Sequence, residues 1–493
     1  MVKDTLDFVS GRAADTEGSG LAADPGGNRR HEGADVRTVH SSPVNTVSTA
    51  IEPPLSEAAA EAWIPRTCFK NGPPSRMGVE LELLVVDAAE RAPFPADSYS
   101  ALLAALEDSE FDGHLLDGTI TVEPGGQVEL SSRPGKNLQD AVDTVARDVT
   151  ALRGRAARGG ARLVGIGMDP MGRPNRITDT PRYAAMERYL DAWGPAGRSM
   201  MCSTASVQVN VEAGVARGDP GRSPTPIDCQ DRREPLTGFA ERWNLLHAIG
   251  PTLVAAFANS PRQAGRPTGW KSTRQAVWQQ LDRTRTGVPP VGPDEDVAAA
   301  WTRWALDAPL MMVRCDNGQW AAPPDLSFRS WLRLGAAAGP GRPPTLDDLA
   351  YHLTTLFPQV RPKGYLEVRY LDAQPGRWWT VPCAVISALL GDAGAADRAL
   401  DACIPTFGRW RDAARVGMDN PEIARAARET LLIAASSLER TKLSRPAQDV
   451  HGYLERWTDR GRCPADDVGI DAPDAPDAPT RDQLTDDPWG DDL

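Results

Sequence analysis

The chain has 493 residues, a formal net charge of −13, 41% hydrophobic residues and 25% charged residues. No apolar run approaches the length of a membrane span and no basic block is interleaved with aromatic residues, which argues against a membrane protein and against nucleic-acid binding. The seven scattered cysteines include no CxxC pair, which argues against zinc and a disulfide framework and fits a reducing compartment. We therefore expect a cytoplasmic protein.

Both ends differ in composition from the body. Residues 1–55 are rich in Gly, Ser, Ala, Asp and Arg without apolar periodicity, and we predict a disordered extension that is not a secretory signal. From residue 462 onward there are ten Asp against two Arg, with the repeat DAPDAPDAP at 471–479. We predict that 461–493 is a disordered, solvated acidic tail. Residues 56–460 are expected to form the folded domain.

The body reads as a mixture of helices and strands, which predicts an α+β fold. Apolar residues at three- and four-residue spacing predict helices near 98–107, 137–158, 236–258, 271–283, 296–307, 345–357, 378–390 and 421–439. Between them lie four strand candidates: MGVELELLVV (77–86), TITVEPGGQVELSS (119–132), STASVQVNVE (203–212) and GYLEVRYLD (364–372). The Pro- and Gly-rich segment 215–235 is long enough to be a mobile loop or lid.

Each strand candidate carries polar side chains on one face, because alternate residues of a strand share a face. These faces contain Glu80 and Glu82; Glu123, Gln127 and Glu129; Thr204, Ser206, Gln208 and Asn210; and Tyr365, Glu367 and Arg369. For a single strand, such alternation commonly means one buried and one solvated face, and Glu367 with Arg369 could be an ordinary ion pair. Together, however, the four faces contain no lysine and a single arginine.

Converging carboxylates without counter-cations predict a metal site, since their repulsion would cost several kcal/mol. Oxygen ligands favour Mg²⁺ or Mn²⁺ over zinc, and Mg²⁺ takes its remaining ligands from water and substrate phosphates. The chain has no GxxxxGK[ST] loop, so nucleotide chemistry would proceed without a P-loop. We expect the glycines of EPGGQVELSS (123–132) to let a flat substrate or a phosphate approach the backbone.

Four of these segments resemble a known family. MGVELE, EPGGQVELSS, MMCSTASVQVNVE (200–212) and HLTTLFPQVRPKGYLEVRYLD (352–372) are similar to the glutamate–cysteine ligases of the second, plant and bacterial, type. ANSP (258–261) and STRQAVWQQLDRTRTG (272–287) also fit, and the likeness runs from about 60 to 455. It is greatest to the actinobacterial ligases that start ergothioneine biosynthesis.

The resemblance implies a glutamine-synthetase-like fold over residues 56–460. Its curved antiparallel sheet would hold ATP, metal and glutamate on the concave face, with helices packed outside. It further implies ATP-dependent joining of the L-glutamate γ-carboxylate to the L-cysteine amine through γ-glutamyl phosphate, with Mg²⁺ or Mn²⁺. We expect a monomer with these small molecules as its partners.

The family motifs also assign roles to residues. They imply a metal-binding pool of Glu80, Glu82, Glu123, Glu129 and Glu367, completed by Gln208 or Asn210; the number of ions and the ligands of each stay open. Arg369 is predicted to stabilise the transferring phosphoryl group, or else to be a structural partner of Glu367. Residues predicted to bind substrate are Gln127, Thr204, Ser206, Asn210, Arg285 and Tyr365.

Arg274, Trp278, Asp282 and Arg285 follow helical spacing and would share one helix face. This spacing is typical of an exposed, salt-bridged helix. The resemblance favours a catalytic role in which Arg274 grips a substrate carboxylate or phosphate. Cys202 is expected to be a buried thiol rather than a reactive one.

Three other functions remain open at the level of sequence. A related carboxylate–amine ligase would keep the same metal face and accept another amine. A phosphagen-kinase-like enzyme would stop after transferring phosphate to a guanidine. A non-catalytic binding relative would be expected to have lost acids from the face, and none look lost.

Overall fold

The fold is built on an antiparallel sheet, seen in a computed structural model that describes residues 54–89, 93–108, 113–172, 174–216, 235–292 and 295–467. Its strands are β1 (Met77–Asp87), β2 (Thr119–Val122), β3 (Val128–Ser131), β4 (Ala161–Val164), β5 (Ser206–Glu212), β8 (Val360–Pro362) and β9 (Tyr365–Asp372), with a separate ribbon of β6 (Arg262–Gln263) and β7 (Arg266–Pro267). The order is β2-β3-β1-β5-β9-β8, and β4 pairs with β1. The predicted α+β class is confirmed.

The apolar face of this sheet forms the core. Val79 of β1, Val209 of β5 and Val368 of β9 are fully buried, as the period-two pattern requires. The helices Leu138–Arg158, Gly250–Ala256 and Thr380–Gly391 pack against strands of the sheet. The opposite, polar face is therefore left to carry the site.

Helices account for most of the remaining described chain. Their bounds are Glu57–Cys68, Tyr99–Glu107, Leu138–Arg158, Pro181–Asp191, Pro195–Ser203, Phe239–Ala248, Gly250–Ala256, Thr273–Trp278, Arg283–Thr286, Val297–Asp307, Phe328–Leu334, Leu346–Leu353, Thr380–Gly391, Ala393–Cys403, Trp410–Val416, Pro421–Arg440 and Ser444–Arg456. Within the described ranges, none of them combines the length and apolar character needed to cross a membrane.

Two sequence predictions about elements are wrong. Segment 119–132 is a hairpin of β2 and β3 rather than one strand, because residues 123–127 turn the chain. The helix predicted near 271–283 covers only Thr273–Trp278; a second short helix, Arg283–Thr286, begins where that segment ends and is capped by the side chain of Asp282.

The folded part extends beyond position 460. Residues 464–467 form a 3₁₀ turn in which Pro464 and Ala465 are buried, so the boundary predicted at 461 comes too early. The predictions for 1–53, for the tail from 468 onward and for most of the 215–235 loop lie outside the described residues.

The described cysteines are free thiols. Five are buried: Cys68, Cys202, Cys383, Cys403 and Cys463. Burial raises the pKa of the Cys68, Cys202 and Cys383 thiols to about 12, so these side chains stay protonated and behave as small apolar groups. Cys315 is exposed.

Candidate active site

Strand register brings the predicted acids onto one face. Glu82 of β1 lies opposite Glu129 of β3, and Glu80 lies opposite Gln208 of β5. On the other side of β5, Asn210 lies opposite Glu367 of β9. Directly opposed residues have Cβ atoms about 5 Å apart, so side chains from four strands meet in one place.

Amides and hydroxyls, rather than cations, contact three of these carboxylates. Gln208 Nε2 donates to Glu82 Oε1 and Asn210 Nδ2 donates to Glu80 Oε1, each at 2.9 Å. Glu129 Oε1 accepts from Thr121 Oγ1 at 3.0 Å and from Ser131 Oγ at 3.2 Å. Among the residues that the structure describes, no lysine or arginine lies within ion-pair distance of Glu80, Glu82, Glu123 or Glu129.

The environment raises the pKa of all four carboxyl groups. For Glu80, burial and the neighbouring charge of Glu367 raise the pKa to about 7. Burial also raises the pKa of Glu82, although Arg274 and Arg369 oppose it. Burial and repulsion from Glu82 raise the pKa of Glu129. Burial and repulsion from Glu129 and Glu82 raise the pKa of Glu123. Without a bound cation, the face holds protons that its carboxylates would otherwise release.

These residues fit a hard divalent cation by the chemistry of their donors. Their ligand atoms are carboxylate and amide oxygens, which Mg²⁺ and Mn²⁺ prefer, and Asn210 Oδ1 is buried without a hydrogen-bond partner. No three described acidic, histidine or cysteine side chains are grouped closely enough to enclose an ion by themselves. Glu80, Glu82, Glu129 and Asn210 could therefore hold such an ion together with oxygens from substrate and water.

The raised pKa of Glu80 predicts a pH-dependent stability in the absence of metal. The pKa of Glu80 rises from 4.5 in the unfolded chain to about 7 on folding, so the native state binds this proton more tightly. The stability that follows from the tighter binding is complete below pH 4.5 and is lost as the pH rises through 7. In EDTA, the urea midpoint of Glu80→Gln should therefore fall less steeply between pH 5 and 8 than that of the wild type. Added Mg²⁺ should reduce the slope of the wild type. Equal slopes for both proteins in EDTA would contradict the prediction.

Glu367 has a different environment from the other acids. Its Oε2 accepts from Arg361 Nε at 2.6 Å and from Arg369 NH1 at 2.9 Å, and Lys363 Nζ lies 3.5 Å from Oε1. Burial alone would raise its pKa, but these three cations outweigh burial and hold the pKa far below the ordinary range. The structure thus gives Glu367 an ion-pairing role, and its predicted role as a metal ligand stays a prediction.

Arg369 connects this ion cluster to the acid face. In addition to Glu367, its NH1 donates to Gln208 Oε1 at 2.7 Å, and Gln208 in turn donates to Glu82. The contact with Glu367 that we gave as the alternative for Arg369 is therefore present. Its Nε is buried without a hydrogen-bond partner. The N–H of this nitrogen can therefore donate to a bound group.

Arg274 is buried rather than displayed on an exposed, salt-bridged helix, so that alternative is wrong. It has 2% of its surface exposed, and its NH2 donates to the carbonyl of Arg369 at 2.8 Å. Its Nε and NH1 have no partner. Unpaired buried donors are rare because each costs about 1–3 kcal/mol, so these two nitrogens indicate a group that binds there.

Asp372 positions Arg274 from the end of β9. This buried carboxylate accepts from Asn259 N, Ser260 Oγ and Ser272 Oγ at 2.7–2.9 Å. Ser272 caps the helix Thr273–Trp278, on which Arg274 lies. The ANSP and STRQ segments are thereby fixed to one strand end.

Three predicted substrate-binding residues form hydrogen bonds within the protein. Arg285 is fully buried and its NH1 donates to Thr355 O at 2.6 Å. Gln127 donates to Thr204 O at 2.8 Å, and Thr204 Oγ1 donates to Met200 O at 2.6 Å. Their substrate contacts stay predictions, while these bonds hold the backbone around the face.

Like Asn210, the predicted substrate-binding residues Ser206 and Tyr365 have side chains near the acids. Ser206 is fully buried beside Glu82, and its hydroxyl makes no hydrogen bond of good geometry. Tyr365 lies near Glu80 and Glu367, and its ring is 5.8 Å from Lys363 Nζ.

Sequence reasoning missed several residues of this region. Arg361 and Lys363 precede β9 in VRPKG, and only the β8–β9 register reveals that they reach Glu367. Arg182 lies close enough to lower the pKa of Glu123 and donates to Thr354 Oγ1 at 3.0 Å. No periodicity or motif marks Arg182, whereas the Pro-Lys-Gly turn before β9 was a usable hairpin signal.

The glycines of EPGG make a tight turn that is filled by protein. Gly126 has φ +90, and a Cβ there would lie 2.3 Å from the Tyr99 hydroxyl. A Cβ on Gly125 would lie 2.0 Å from the Cys202 carbonyl oxygen. The expectation that these glycines leave room for a substrate is therefore wrong, because Tyr99 and the Cys202 backbone occupy that space.

We expect Gly126→Ala to destabilise the protein and to misplace Glu123. Backbone strain alone costs about 1–3 kcal/mol, and the contact with Tyr99 adds to it. Gly160→Ala is the matched control, since Gly160 has φ +73 with open space around it. Urea unfolding should show a larger loss for Gly126→Ala than for Gly160→Ala; equal losses would mean that the contact with Tyr99 relaxes freely.

Comparison with known proteins identifies the family. Glutamate-cysteine ligase family 2 (GCS2) matches residues 76–469. The glutamate–cysteine ligase EgtA of Mycobacterium tuberculosis (strain ATCC 25618 / H37Rv) is 39% identical over 432 residues, covering 86% of this chain and 92% of the relative. EgtA of Mycolicibacterium smegmatis (strain ATCC 700084 / mc(2)155) is 39% identical over 418 residues, covering 84% and 90%.

More distant relatives have the same type of name. The chloroplastic glutamate–cysteine ligase of Arabidopsis thaliana is 29% identical over 396 residues, covering 78% of this chain and 71% of the relative. A solved glutamate–cysteine ligase (gshA) of Francisella tularensis, in complex with AMP, is 12% identical with a TM-score of 0.47, covering 81% and 84%. The family predicted from the four strand motifs is confirmed, and the chain belongs to glutamate–cysteine ligase family 2.

Proposed function

We propose that this protein joins the γ-carboxylate of L-glutamate to the amine of L-cysteine at the expense of ATP, giving γ-glutamylcysteine. The observation that carries the proposal is the carboxylate face of β1, β3 and β5 lying next to two buried arginines with unpaired donors. Family membership supports ATP-dependent ligation, and the relatives at 39% identity are named glutamate–cysteine ligases.

The chemistry requires activation of a carboxylate, which is a poor electrophile. The γ-carboxylate oxygen of glutamate takes the γ-phosphoryl group, and ADP leaves. The cysteine nitrogen then attacks the acyl carbon and loses a proton, and phosphate leaves with the C–O bonding pair. In phosphoryl transfer of this kind, the protein contributes mainly positioning and charge stabilisation.

The acid face would neutralise phosphate charge through a divalent cation. Glu80, Glu82 and Glu129 with Asn210 would hold Mg²⁺ or Mn²⁺, which when bound polarises the phosphoryl oxygens. Amide and hydroxyl donors from Gln208, Asn210, Thr121 and Ser131 hold three of these carboxylates in place. Glu123 lies within electrostatic reach of Glu82 and Glu129, and we assign it to the same pool.

The two arginines would act on the anionic groups that react. Glu367 and Gln208 orient Arg369, so its charge is in place before phosphoryl transfer and costs little reorganisation. Arg274 presents two unpaired nitrogens, which suit a carboxylate or phosphate because a guanidinium binds either one through paired donors. We assign Arg369 to the transferring phosphoryl group and Arg274 to a substrate anion.

The proposal extends to the amine substrate, the pathway, the compartment and the oligomeric state. The likeness to the EgtA proteins supports cysteine as the amine and ergothioneine biosynthesis as the pathway. We place the reaction in the cytoplasm, where cysteine stays reduced, and assign a monomer. A ligase for another amine is the second candidate, because no motif marks the cysteine pocket.

The test is phosphate release from ATP with Mg²⁺ and L-glutamate, measured with L-cysteine, 2-aminobutyrate, putrescine or no amine. We expect turnover with cysteine, weaker turnover with 2-aminobutyrate, which lacks the thiol, and none with putrescine. Mass spectrometry should identify γ-glutamylcysteine as the product. Turnover with another amine but not with cysteine would assign a different substrate, and no ATP consumption by folded protein would refute the ligase.

A further inference from the structure

A basic cavity lies where the described chain ends. It has a volume of about 470 Å³ and is lined by Trp378, Gly452, Glu455, Arg456, Arg460, Arg462 and Asp467. Asp467 lines this cavity and is also the last residue that the structure describes. None of the lining residues belongs to the acid face of the sheet.

The arginines of this cavity already bind Asp467, the last acid of the described chain. Asp467 Oδ1 accepts from Arg462 NH2 at 2.8 Å, and Arg456 NH2 lies 3.7 Å from Asp467 Oδ2. The side chain of Arg460 is exposed and has no ion pair within the described part of the chain. The guanidinium of Arg460 is therefore available for an ion pair near Asp467, where the chain continues.

The chain that continues from Asp467 complements this cavity in charge. Residues 468–493 contain eight Asp and one Arg, a net charge of −7, and the repeat at 471–479 places an Asp and a Pro in every three residues. The family match ends at residue 469, so the repeat at 471–479 lies outside the part shared with the family.

An aromatic wall suits the prolines of the same repeat. Trp378 is half-buried: its ring packs against Trp457 and Tyr453 at centroid distances of 5.2 and 5.8 Å, and the Arg377 guanidinium lies over it at 4.9 Å, while Trp378 still lines the cavity. Gly452 allows this packing, since a Cβ there would lie 3.3 Å from the Trp378 ring. Proline-rich segments dock against aromatic side chains, and Arg side chains pair with carboxylates.

We propose that the acidic Asp-Ala-Pro segment 471–479 of the same chain docks in this cavity, with its aspartates on Arg460 and the neighbouring arginines and its prolines against Trp378. Single exposed ion pairs are weak. The tether at Asp467 makes this binding intramolecular, with an effective concentration in the millimolar range, so several weak pairs suffice.

The test is zero-length carbodiimide cross-linking of the full chain carrying Arg460→Lys, which places an amine in the cavity. Mass spectrometry should find the introduced amine joined to Asp471, Asp474 or Asp477 in a several-fold higher yield than for Arg425→Lys. Arg425 is the matched control because it is exposed on the helix Pro421–Arg440, outside the cavity. Salt of about 1 M, where the Debye length is about 3 Å, should lower the yield several-fold.

Three results would overturn the proposal. The first is an equal yield from the two variants, which would mean that the tail meets both amines by diffusion. The second is coupling only to Glu455 or Asp467, which would leave the cavity without the tail. The third, seen when ¹⁴N- and ¹⁵N-labelled chains are mixed, is coupling between chains alone, which would assign the occupant to a second copy.

Discussion

Glu129→Gln should abolish most of the ligase activity while making the metal-free protein more stable. A glutamine at 129 can still accept hydrogen bonds from Thr121 and Ser131, so the strands should keep their register. It no longer offers a charged ligand to the cation, and we expect turnover to fall by a factor on the order of 100. It also removes the repulsion by which Glu129 helps to raise the pKa values of Glu123 and Glu80.

This pair of opposite effects is measured by steady-state ADP formation over a range of Mg²⁺ concentrations and by urea unfolding in EDTA. The matched control is Glu429→Gln, which makes the same change at an exposed site on the helix Pro421–Arg440. It should alter neither quantity. Unchanged turnover and Mg²⁺ dependence in Glu129→Gln would remove Glu129 from the proposed metal ligands.

Glu367→Gln should lower the free energy of unfolding by about 3–5 kcal/mol, the range seen when one partner of a buried ion pair is removed. Glu367 is fully buried and accepts from Arg361 and Arg369, with Lys363 near its other oxygen. A neutral amide would leave these cations without a counter-charge inside the protein. The loss should be the same in EDTA and in Mg²⁺, as measured by urea unfolding.

Asp459→Asn is the control for this prediction. Asp459 pairs with Arg428 at 2.8 Å on the surface, and exposed pairs contribute little, so the loss should be much smaller. If Glu367→Gln instead retains stability in EDTA but loses Mg²⁺ affinity, Glu367 is a metal ligand rather than the centre of the ion cluster.

Strand faces are the part of the site that sequence predicts well. Glu80 and Glu82, like Gln208 and Asn210, alternate with valines and leucines, and a period of two fixes which face each residue joins. The family motifs then identify which strands are neighbours. Position on a face does not determine what a side chain contacts, however.

The errors arise where contacts depend on register or on turns. Pro124-Gly125-Gly126 is a turn signal, yet a strand read through it missed the β2–β3 hairpin. Arg361 reaches Glu367 only because β8 pairs with β9 in one particular register. The spacing of Arg274 left an exposed helix open as the alternative, because helical spacing cannot show that loop 258–261 and Asp372 enclose that helix.

The buried cysteines have a consequence for an enzyme that handles thiols. The disulfide forms of cysteine and of its γ-glutamyl derivative would exchange with any accessible protein thiolate, since exchange is the attack of a thiolate on a disulfide sulfur, with the other sulfur leaving as a thiolate. Burial keeps Cys68, Cys202 and Cys383 both protonated and inaccessible. The fold therefore protects these sulfurs from forming mixed disulfides with the proposed substrate and product, and oxidised cysteine in solution should label Cys315 well before it reaches them.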